Sequence, residues 1–296
     1  MTERHDKTDI IPDIVHFQIP ADPLPLVFDS PHSGSIYPAD FDYVCSFHDL
    51  RRSEDLYVDE FFSGAPDFDA CFLKALFPRA YIDVNRSLGD IDPLLLDKPW
   101  PGHQSTSPRA HAGIGLIRRL LKADYPIYGD KLSIGEVKAR IAHFYHPYHQ
   151  KLENIIESLY VDYGQVWHVN CHSMPSGGKK RHGHLFHSPL PDFVIGDRDG
   201  TSCTRDFSFA IRDFLQGMGY SVALNDPYKG VEIVKRHGRP DMNRHSLQLE
   251  INKALYVDEK TIEKTDNFKR LQTDMRNLMK YLSGFVRDQQ VPLAAD

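Results

Sequence analysis

The chain has 296 residues, of which 41% are hydrophobic and 26% are charged, and its formal net charge is −6. These values suit a globular protein with a sizeable core, and an acidic chain without a long Lys/Arg run is unsuited to non-specific nucleic-acid binding. No apolar run is long enough for a membrane span and no signal-peptide pattern is visible, so the sequence predicts a cytoplasmic protein that is not attached to a membrane. The four cysteines form no Cys-x-x-Cys pair, which predicts reduced thiols.

Strand and helix patterns alternate along the first half of the chain. Residues 1–20 are expected to form a weakly anchored N-terminal segment. Apolar runs and turn residues then predict strands over 25–29, 71–76 and 80–84, a helix over 54–62 and a long loop over 87–113.

The second half begins with the clearest helical region, residues 133–163. Ser133 followed by Glu136 is a capping-box signature, and Pro147 is expected to kink or split the helix. Further patterns predict strands over 165–171, 220–224 and 246–251, helices over 203–218 and 260–287, and a polar loop over 173–191. Strands alternating with helices predict a single α/β domain over the whole chain, with helices on both faces of a sheet.

Two histidines directly follow predicted strands. His32 lies in DSPHSG and His172 lies in NCHSMP. In open α/β sheets ligands bind beyond the carboxyl ends of the strands, so both imidazoles are expected at a candidate site. One such histidine is more often structural, but two in the same context favour a divalent metal. A catalytic zinc is held by three protein ligands and keeps one open position.

The segment RSEDLYVDEFF offers three acidic residues for the third ligand. Glu54, Asp55 and Asp59 all have suitable chemistry, and Asp55 and Asp59 share a helix face. The alternative is a solvated acidic helix start, since Asp and Glu favour the first turn. Spacing alone does not decide between them.

The segment FPRAYIDVNRS contains a group suited to binding a carboxylate. Arg79, Asn85 and Arg86 bracket the predicted strand 80–84, and guanidinium groups bind carboxylates through paired hydrogen bonds. The alternative is an ion pair between Arg79 and Asp83, with Asn85 serving as a turn residue.

Glu250 lies in the otherwise apolar strand SLQLEIN. Burial disfavours the ionised carboxylate, which suits a general base, although a structural salt bridge with an arginine is the alternative. Among the histidines near Pro147, we expect His149 to line the pocket.

Six motifs resemble, in order and spacing, those of the N-formylglutamate amidohydrolase family, over roughly residues 20 to 285. They are DSPHSG, SEDLYVD, RAYIDVNRS, YHPYHQKL, NCHSMP and QLEINKALY. The family is similar in fold and site to zinc carboxypeptidases and aspartoacylases. The resemblance therefore implies a mixed central sheet of the zinc-carboxypeptidase (phosphorylase/hydrolase-like) type.

The resemblance also implies a metal site and a reaction. One Zn²⁺ would be held by His32, His172 and Asp55, which matches the family's recurrent aspartate better than Glu54. Glu250 would be the catalytic carboxylate, and Arg79 would polarise the scissile carbonyl. A substrate carboxylate would be held by Asn85 and Arg86. The implied reaction is hydrolysis of N-formyl-L-glutamate to formate and glutamate, as in histidine degradation.

One segment departs from the family pattern. The family usually reads G-G-x-I-T where this chain has Lys229-Gly230-Val231-Glu232-Ile233-Val234. This leaves two alternatives, a deacylase or carboxypeptidase-type hydrolase of another N-acyl amino acid or short peptide, and a non-catalytic binding protein on the same fold. The expected partner is a small-molecule substrate, and the protein is expected to be a monomer or homodimer.

Overall fold

The centre of the structure is a sheet of eight strands. This computed structural model describes residues 7–102, 104, 107–122, 124–177 and 190–290. Its strands are β1 (Lys7–Ile11), β2 (Val15–Ile19), β3 (Leu26–Ser30), β4 (Cys71–Ala75), β5 (Leu120–Lys122), β6 (Tyr125–Pro126), β7 (Val166–Met174), β8 (Phe193–Gly196), β9 (Val222–Leu224) and β10 (Arg244–Asn252).

The large sheet has the order β1-β2-β4-β3-β7-β10-β8-β9, and β5 pairs with β6 in a separate ribbon. The central strands β4, β3, β7 and β10 run parallel to one another. Antiparallel pairs occur between β1 and β2, between β2 and β4, and between β10 and β8. The sheet is therefore mixed, as expected.

Helices cover both faces of this sheet, which confirms the predicted α/β class. They are α1 (Phe47–Arg51), α2 (Val58–Phe62), α3 (Pro108–His111), α4 (Ile134–Arg140), α5 (His146–Tyr163), α6 (Arg205–Gly217), α7 (Glu232–His237) and α8 (Phe268–Gln289). One core cluster packs α4 and α5 against the sheet, and the other packs α2, α6 and α8. Successive side chains of β3 point to opposite faces of the sheet, so Val27 packs in the first cluster and Phe28 in the second. Two cores on one continuous sheet support the proposal of a single domain.

The N-terminal segment differs from the expectation of weak anchoring. Residues 7–19 form a hairpin whose second strand, β2, pairs with β4. Val15 and Phe17 are buried in the core, while the alternate residues His16 and Gln18 are partly exposed. This period-two pattern spans only a few residues, which is too short for the sequence to predict a strand.

Pro147 interrupts the long helical region as predicted. The chain forms α4, then a π-helical turn at Ile141–Tyr145, and then α5, whose second residue is Pro147. Proline has no N–H to donate to a carbonyl group of the preceding turn, and its ring would clash with that turn in a regular α-helix. The π-helical turn before Pro147 accommodates both effects. The capping box of Ser133 and Glu136 is also present.

Several predicted elements are wrong or shifted. Residues 80–84 form turns and irregular structure instead of a strand. The Asp83 amide of this segment donates to the Leu116 carbonyl oxygen at 2.8 Å, in a loop outside the sheet. The C-terminal helix begins at Phe268 rather than at 260, and residues 178–189 of the predicted loop lie outside the described residues. All four cysteines are free, as predicted. In the described part of the chain, no helix combines the length and apolar character that a membrane span requires.

Gly34, two residues after His32, allows the chain to pass close to another loop. A Cβ atom at this position would lie 2.3 Å from the Phe77 carbonyl oxygen and 2.4 Å from the Leu76 carbonyl carbon. The neighbouring Ile36 amide donates to the Leu76 oxygen at 2.8 Å, which holds the two segments together. Glycine is therefore required here to keep the His32 segment in place.

We expect Gly34→Ala to lower the free energy of unfolding by about 2 kcal/mol, because the added methyl overlaps backbone atoms. Chemical denaturation measures this change. Gly284→Ala is the matched control, since a Cβ in the middle of α8 meets nothing within 4 Å. That variant is expected to gain up to about 1 kcal/mol from helix propensity. Wild-type stability of Gly34→Ala would contradict the account.

Candidate active site

Three neighbouring parallel strands bring the predicted residues to one edge of the sheet. Glu250 on β10 lies opposite His172 on β7, and Gln248 lies opposite Asn170. Since alternate residues of a strand share a face, these four side chains point to the same side. His32 follows β3, the other neighbour of β7, by two residues. The strand-end histidines and the strand carboxylate are thus assembled as the sequence predicted.

The two histidines and Asp55 form a compact, buried group. The Asp55 Oδ2 atom lies 2.9 Å from His172 Nδ1 and 3.3 Å from His32 Nδ1. One ligand atom from each residue lies within 4.8 Å of the others, which meets the spacing expected of metal ligands. The Asp55 amide also donates to the His32 carbonyl oxygen at 3.0 Å, so the two segments are held together by the backbone.

Hydrogen bonds on the far side of each imidazole assign the tautomers. His32 Nε2 lies 2.7 Å from Asp83 Oδ1, and His172 Nε2 lies 2.6 Å from Asn170 Oδ1. Asp83 can only accept, and the contact of His172 Nε2 with the Asn170 oxygen is shorter than its 3.0 Å contact with Asn85 Nδ2, so we place the ring proton on Nε2 in each histidine. The two Nδ1 atoms then carry lone pairs and face a carboxylate oxygen. Three converging acceptors repel one another unless a cation lies between them, so this donor set fits Zn²⁺.

Arg79 binds the carboxylates on both sides of this group. It donates to Asp55 Oδ1 at 3.0 Å and to Asp83 Oδ2 at 2.9 Å. Burial alone would raise the pKa of Asp55, but the Arg79 charge holds it well below its usual range. For Asp83, the Arg79 charge and the hydrogen bond from His32 likewise outweigh burial and keep its pKa well below its usual range. The Asp55 ligand is therefore kept ionised.

A cavity of about 750 Å³ opens over His32, Asp55 and His172. Glu250 lies in its wall, and one of its oxygens accepts from Gln248 Nε2 at 2.7 Å. Cationic residues dominate the rest of the wall. They are Arg52, Arg79, Arg86, Arg109, Arg118, Lys122, Lys229 and Lys253, against the acids Asp49, Asp55, Glu250 and Glu259. The wall is suited to an anionic ligand.

Asn85 and Arg86 both line this cavity, as predicted. The Asn85 Oδ1 atom accepts from the Ile233 amide at 3.0 Å, and its Nδ2 atom lies 3.0 Å from His172 Nε2. Arg86 donates to the backbone oxygens of Asn85 and Ile114, at 3.1 and 3.4 Å. Asn85 thus also packs against His172, and the substrate-binding role of both residues stays a prediction.

His149 does not line the cavity, contrary to expectation. It is buried, its Nε2 atom bonds the Val84 carbonyl oxygen at 2.8 Å, and its ring packs 4.2 Å from that of Tyr145. Burial, with the nearby charge of Arg236, lowers the pKa of His149 to about 3. The residue is a neutral core histidine, because α5 turns this face toward the sheet.

The comparisons with known proteins agree with these features. A family model described as N-formylglutamate amidohydrolase matches residues 24–257. The chain belongs to the N-formylglutamate amidohydrolase family. It is therefore a hydrolase that acts on amide bonds, and the family predicted from the six motifs is confirmed.

Individual relatives match over most of their length. The solved structure of an N-formylglutamate amidohydrolase from Ralstonia eutropha JMP134 is 43% identical, with a TM-score of 0.90 over 93% of this chain and 99% of that one. An N-formylglutamate deformylase from Pseudomonas aeruginosa is 25% identical over 90% of this chain and 95% of its own length. Another from Pseudomonas putida is 29% identical over 80% and 83%.

Within this amidohydrolase, the structure distinguishes the three acids of the second motif. Asp55 alone joins the two histidines. Glu54 instead accepts from the Tyr37 hydroxyl at 2.5 Å, and Asp59 accepts from Lys74 Nζ at 2.8 Å. These contacts support Asp55 as the third ligand.

Other residues of the site were missed in the sequence. Asn170 and Gln248 lie two residues before His172 and Glu250, so the period of a strand could have indicated them. The sequence indicates Asp83 only as an ion-pair partner of Arg79. That ion pair is present in the structure. The second contact of Asp83, to His32 across 51 residues of sequence, has no local signal. Of the segment that departs from the family pattern, Lys229, Gly230 and Val231 line the cavity.

We expect the purified amidohydrolase to bind about one Zn²⁺ per chain and Asp55→Asn to lose it, because the amide removes the charge that holds the ion. Equilibrium dialysis followed by elemental analysis measures the bound metal. Glu54→Gln and Asp59→Asn are matched controls from the same motif, and both should retain the wild-type zinc content. Full zinc retention by Asp55→Asn, or equal loss in all three variants, would remove the ligand assignment.

Proposed function

We propose that this enzyme hydrolyses N-formyl-L-glutamate to formate and L-glutamate in a zinc-dependent reaction. The observation that carries the proposal is the convergence of the two Nδ1 atoms and Asp55 Oδ2 beside Glu250 in a cationic cavity. The relatives named N-formylglutamate deformylase support the substrate. The substrate is a dianion, and the excess of arginine and lysine in the wall suits it.

His32, Asp55 and His172 would hold the metal. Zn²⁺ bound there supplies Lewis acidity, which lowers the pKa of water and polarises an amide carbonyl. Asp83 and Asn170 fix the imidazole orientations from behind, through the two Nε2 hydrogen bonds. The protein thus presents a preformed ligand set rather than one that must rearrange.

Glu250 is our candidate for the proton-transferring group. It lies beside His172 in register, and the Gln248 amide holds one of its oxygens. From this position its carboxylate accepts a proton from the attacking water and returns it to the leaving nitrogen. The amine then departs as a neutral group, and the carboxylate is restored for the next turnover.

The arginines bind and orient the substrate in this proposal. Arg79 would stabilise negative charge that develops on the formyl oxygen, while it also holds Asp55 in place. Arg86, with Asn85 next to it, would bind a substrate carboxylate and so position the scissile bond over the metal group. Localisation in the cytoplasm, a role in histidine degradation and the monomeric or dimeric state stay predictions.

A second candidate is hydrolysis of another N-acyl amino acid or short peptide. The observation that favours it is the departure at 229–234, since Val231 of that segment lines the cavity. A panel of N-formyl, N-acetyl and N-succinyl amino acids separates the two, because our proposal requires N-formyl-L-glutamate to have the highest kcat/KM.

We expect Glu250→Gln to keep its zinc and to lower kcat by about 10³-fold, because the amide cannot accept the proton. Steady-state rates of formate release, with metal content measured on the same samples, test this. Glu259→Gln is the control, since this acid also lines the cavity but bonds the Ser176 amide instead. A Glu250→Gln enzyme within a few fold of the wild type would exclude Glu250 as the base.

A further inference from the structure

The cationic wall of the cavity contains more positive charge than one carboxylate requires. Four of its eight cations have partners within the protein. Arg79 binds Asp55 and Asp83, Arg52 pairs with Asp49 at 3.3 Å, and Lys229 pairs with Asp199. Lys253 Nζ bonds the backbone oxygens of residues 52 and 54. These groups are already neutralised or solvated by the protein.

Arg118 is one of the remaining four, together with Arg86, Arg109 and Lys122. Within the described part of the chain, its guanidinium makes no ion pair, and its Nε atom is buried without a hydrogen-bond partner. Burial, with the nearby charge of Arg79, lowers the pKa of Arg118 to about 9. A partly buried cation without a counter-charge is costly, so a site that keeps one is suited to an anionic ligand.

The backbone holds Arg118 in this position. It lies in a tight turn in which Ile114 and Arg118 form a bridge, and the turn is bound to the site segment through Leu116. The Leu116 amide donates to the Asp90 carbonyl oxygen at 2.7 Å, and the Leu116 oxygen accepts from the Asp83 amide at 2.8 Å. A Cβ on Gly115 would lie 2.3 Å from the Asp90 oxygen, so the turn is closely packed.

The neighbouring residue shows that the orientation of Arg118 is specific. The Arg119 side chain does not line the cavity and instead donates to the buried Asp92 carboxylate at 2.6 Å. Arg86 reaches the same turn, since its Nε atom donates to the Ile114 oxygen at 3.4 Å. Arg86 and Arg118 are therefore two guanidinium groups on one wall, and neither is paired with a carboxylate among the described residues.

We propose that Arg118 is a specificity-determining residue that binds the side-chain carboxylate of the substrate, while Arg86 binds the α-carboxylate. This inference rests on the proposed function, because it assumes an N-acyl derivative of an acidic amino acid. A guanidinium offers paired donors in the plane that a carboxylate requires, and a neutral amide cannot compensate its charge. The enzyme should then reject substrates whose side chain is uncharged.

The test compares kcat/KM for three substrates that differ by one group. They are N-formyl-L-glutamate, N-formyl-L-glutamine and N-formyl-L-isoglutamine, which carry both carboxylates, the α-carboxylate only and the side-chain carboxylate only. We expect the wild type to prefer glutamate over glutamine by about 100-fold, as is typical of a buried charge pair. Arg118→Met should reduce that ratio to about one by losing activity equally on the two substrates that carry the side-chain carboxylate, glutamate and isoglutamine. The preference for glutamate over isoglutamine should stay unchanged.

Two further variants separate specificity from a structural effect. Arg205→Met removes an exposed cation from the start of α6 and should leave all three rates unchanged. Arg118→Lys keeps the charge without the paired donors and should restore part of the glutamate preference. The thermal unfolding temperature of ligand-free Arg118→Met should match or exceed that of the wild type, since the substitution removes a partly buried cation that has no counter-charge.

The outcomes are distinguishable. If Arg118→Met keeps the wild-type ratio of glutamate to glutamine, or loses the preference over isoglutamine instead, the role of Arg118 is wrong while the proposed function stands. If the wild type hydrolyses none of the three substrates, the proposed function fails and this inference fails with it.

Discussion

The site depends on one unfavourable arrangement, in which three electron-rich atoms meet in a buried space. The Nδ1 atoms of His32 and His172 both point at Asp55 Oδ2, and the hydrogen bonds that could relieve this are on the other side of the rings. Arg79 stabilises the Asp55 charge from its second oxygen, but does not enter the group. A divalent cation would complement such a set, and the cavity, Glu250 and the arginines surround these three residues.

The sheet makes this arrangement possible. The strands β3, β7 and β10 are parallel neighbours, and they carry a second group of buried polar side chains next to the site. In that group Asp29 Oδ1 accepts from His168 Nε2 at 2.8 Å and from Asn170 Nδ2 at 2.7 Å, and the Tyr148 hydroxyl bonds its other oxygen. The His168 charge and these bonds lower the pKa of Asp29 although burial alone would raise it. These bonds fix Asn170 with its side-chain oxygen toward His172. The buried polar side chains of the core thus help to orient the His172 imidazole.

The sequence indicated the parts of this design that follow a local period. His32, His172 and Glu250 were predicted because strand ends and strand faces can be identified from a few residues. Asp55 could not be separated from Glu54 and Asp59 by spacing, since the choice depends on Tyr37 and Lys74, which bind the other two. His149 was misplaced because the direction of a helix face depends on what the helix packs against. The hairpin at 7–19 and the role of Asp83 depend on contacts with distant segments, which local patterns do not contain.

The most direct test is anomalous diffraction at the zinc absorption edge, on crystals grown with Zn²⁺. The account predicts one peak, with Nδ1 of His32, Nδ1 of His172 and an Asp55 oxygen each within about 2.0–2.2 Å. The Nε2 atoms should remain bonded to Asp83 and Asn170. A peak bound through Nε2, a peak elsewhere, or no peak at saturating zinc would contradict the account.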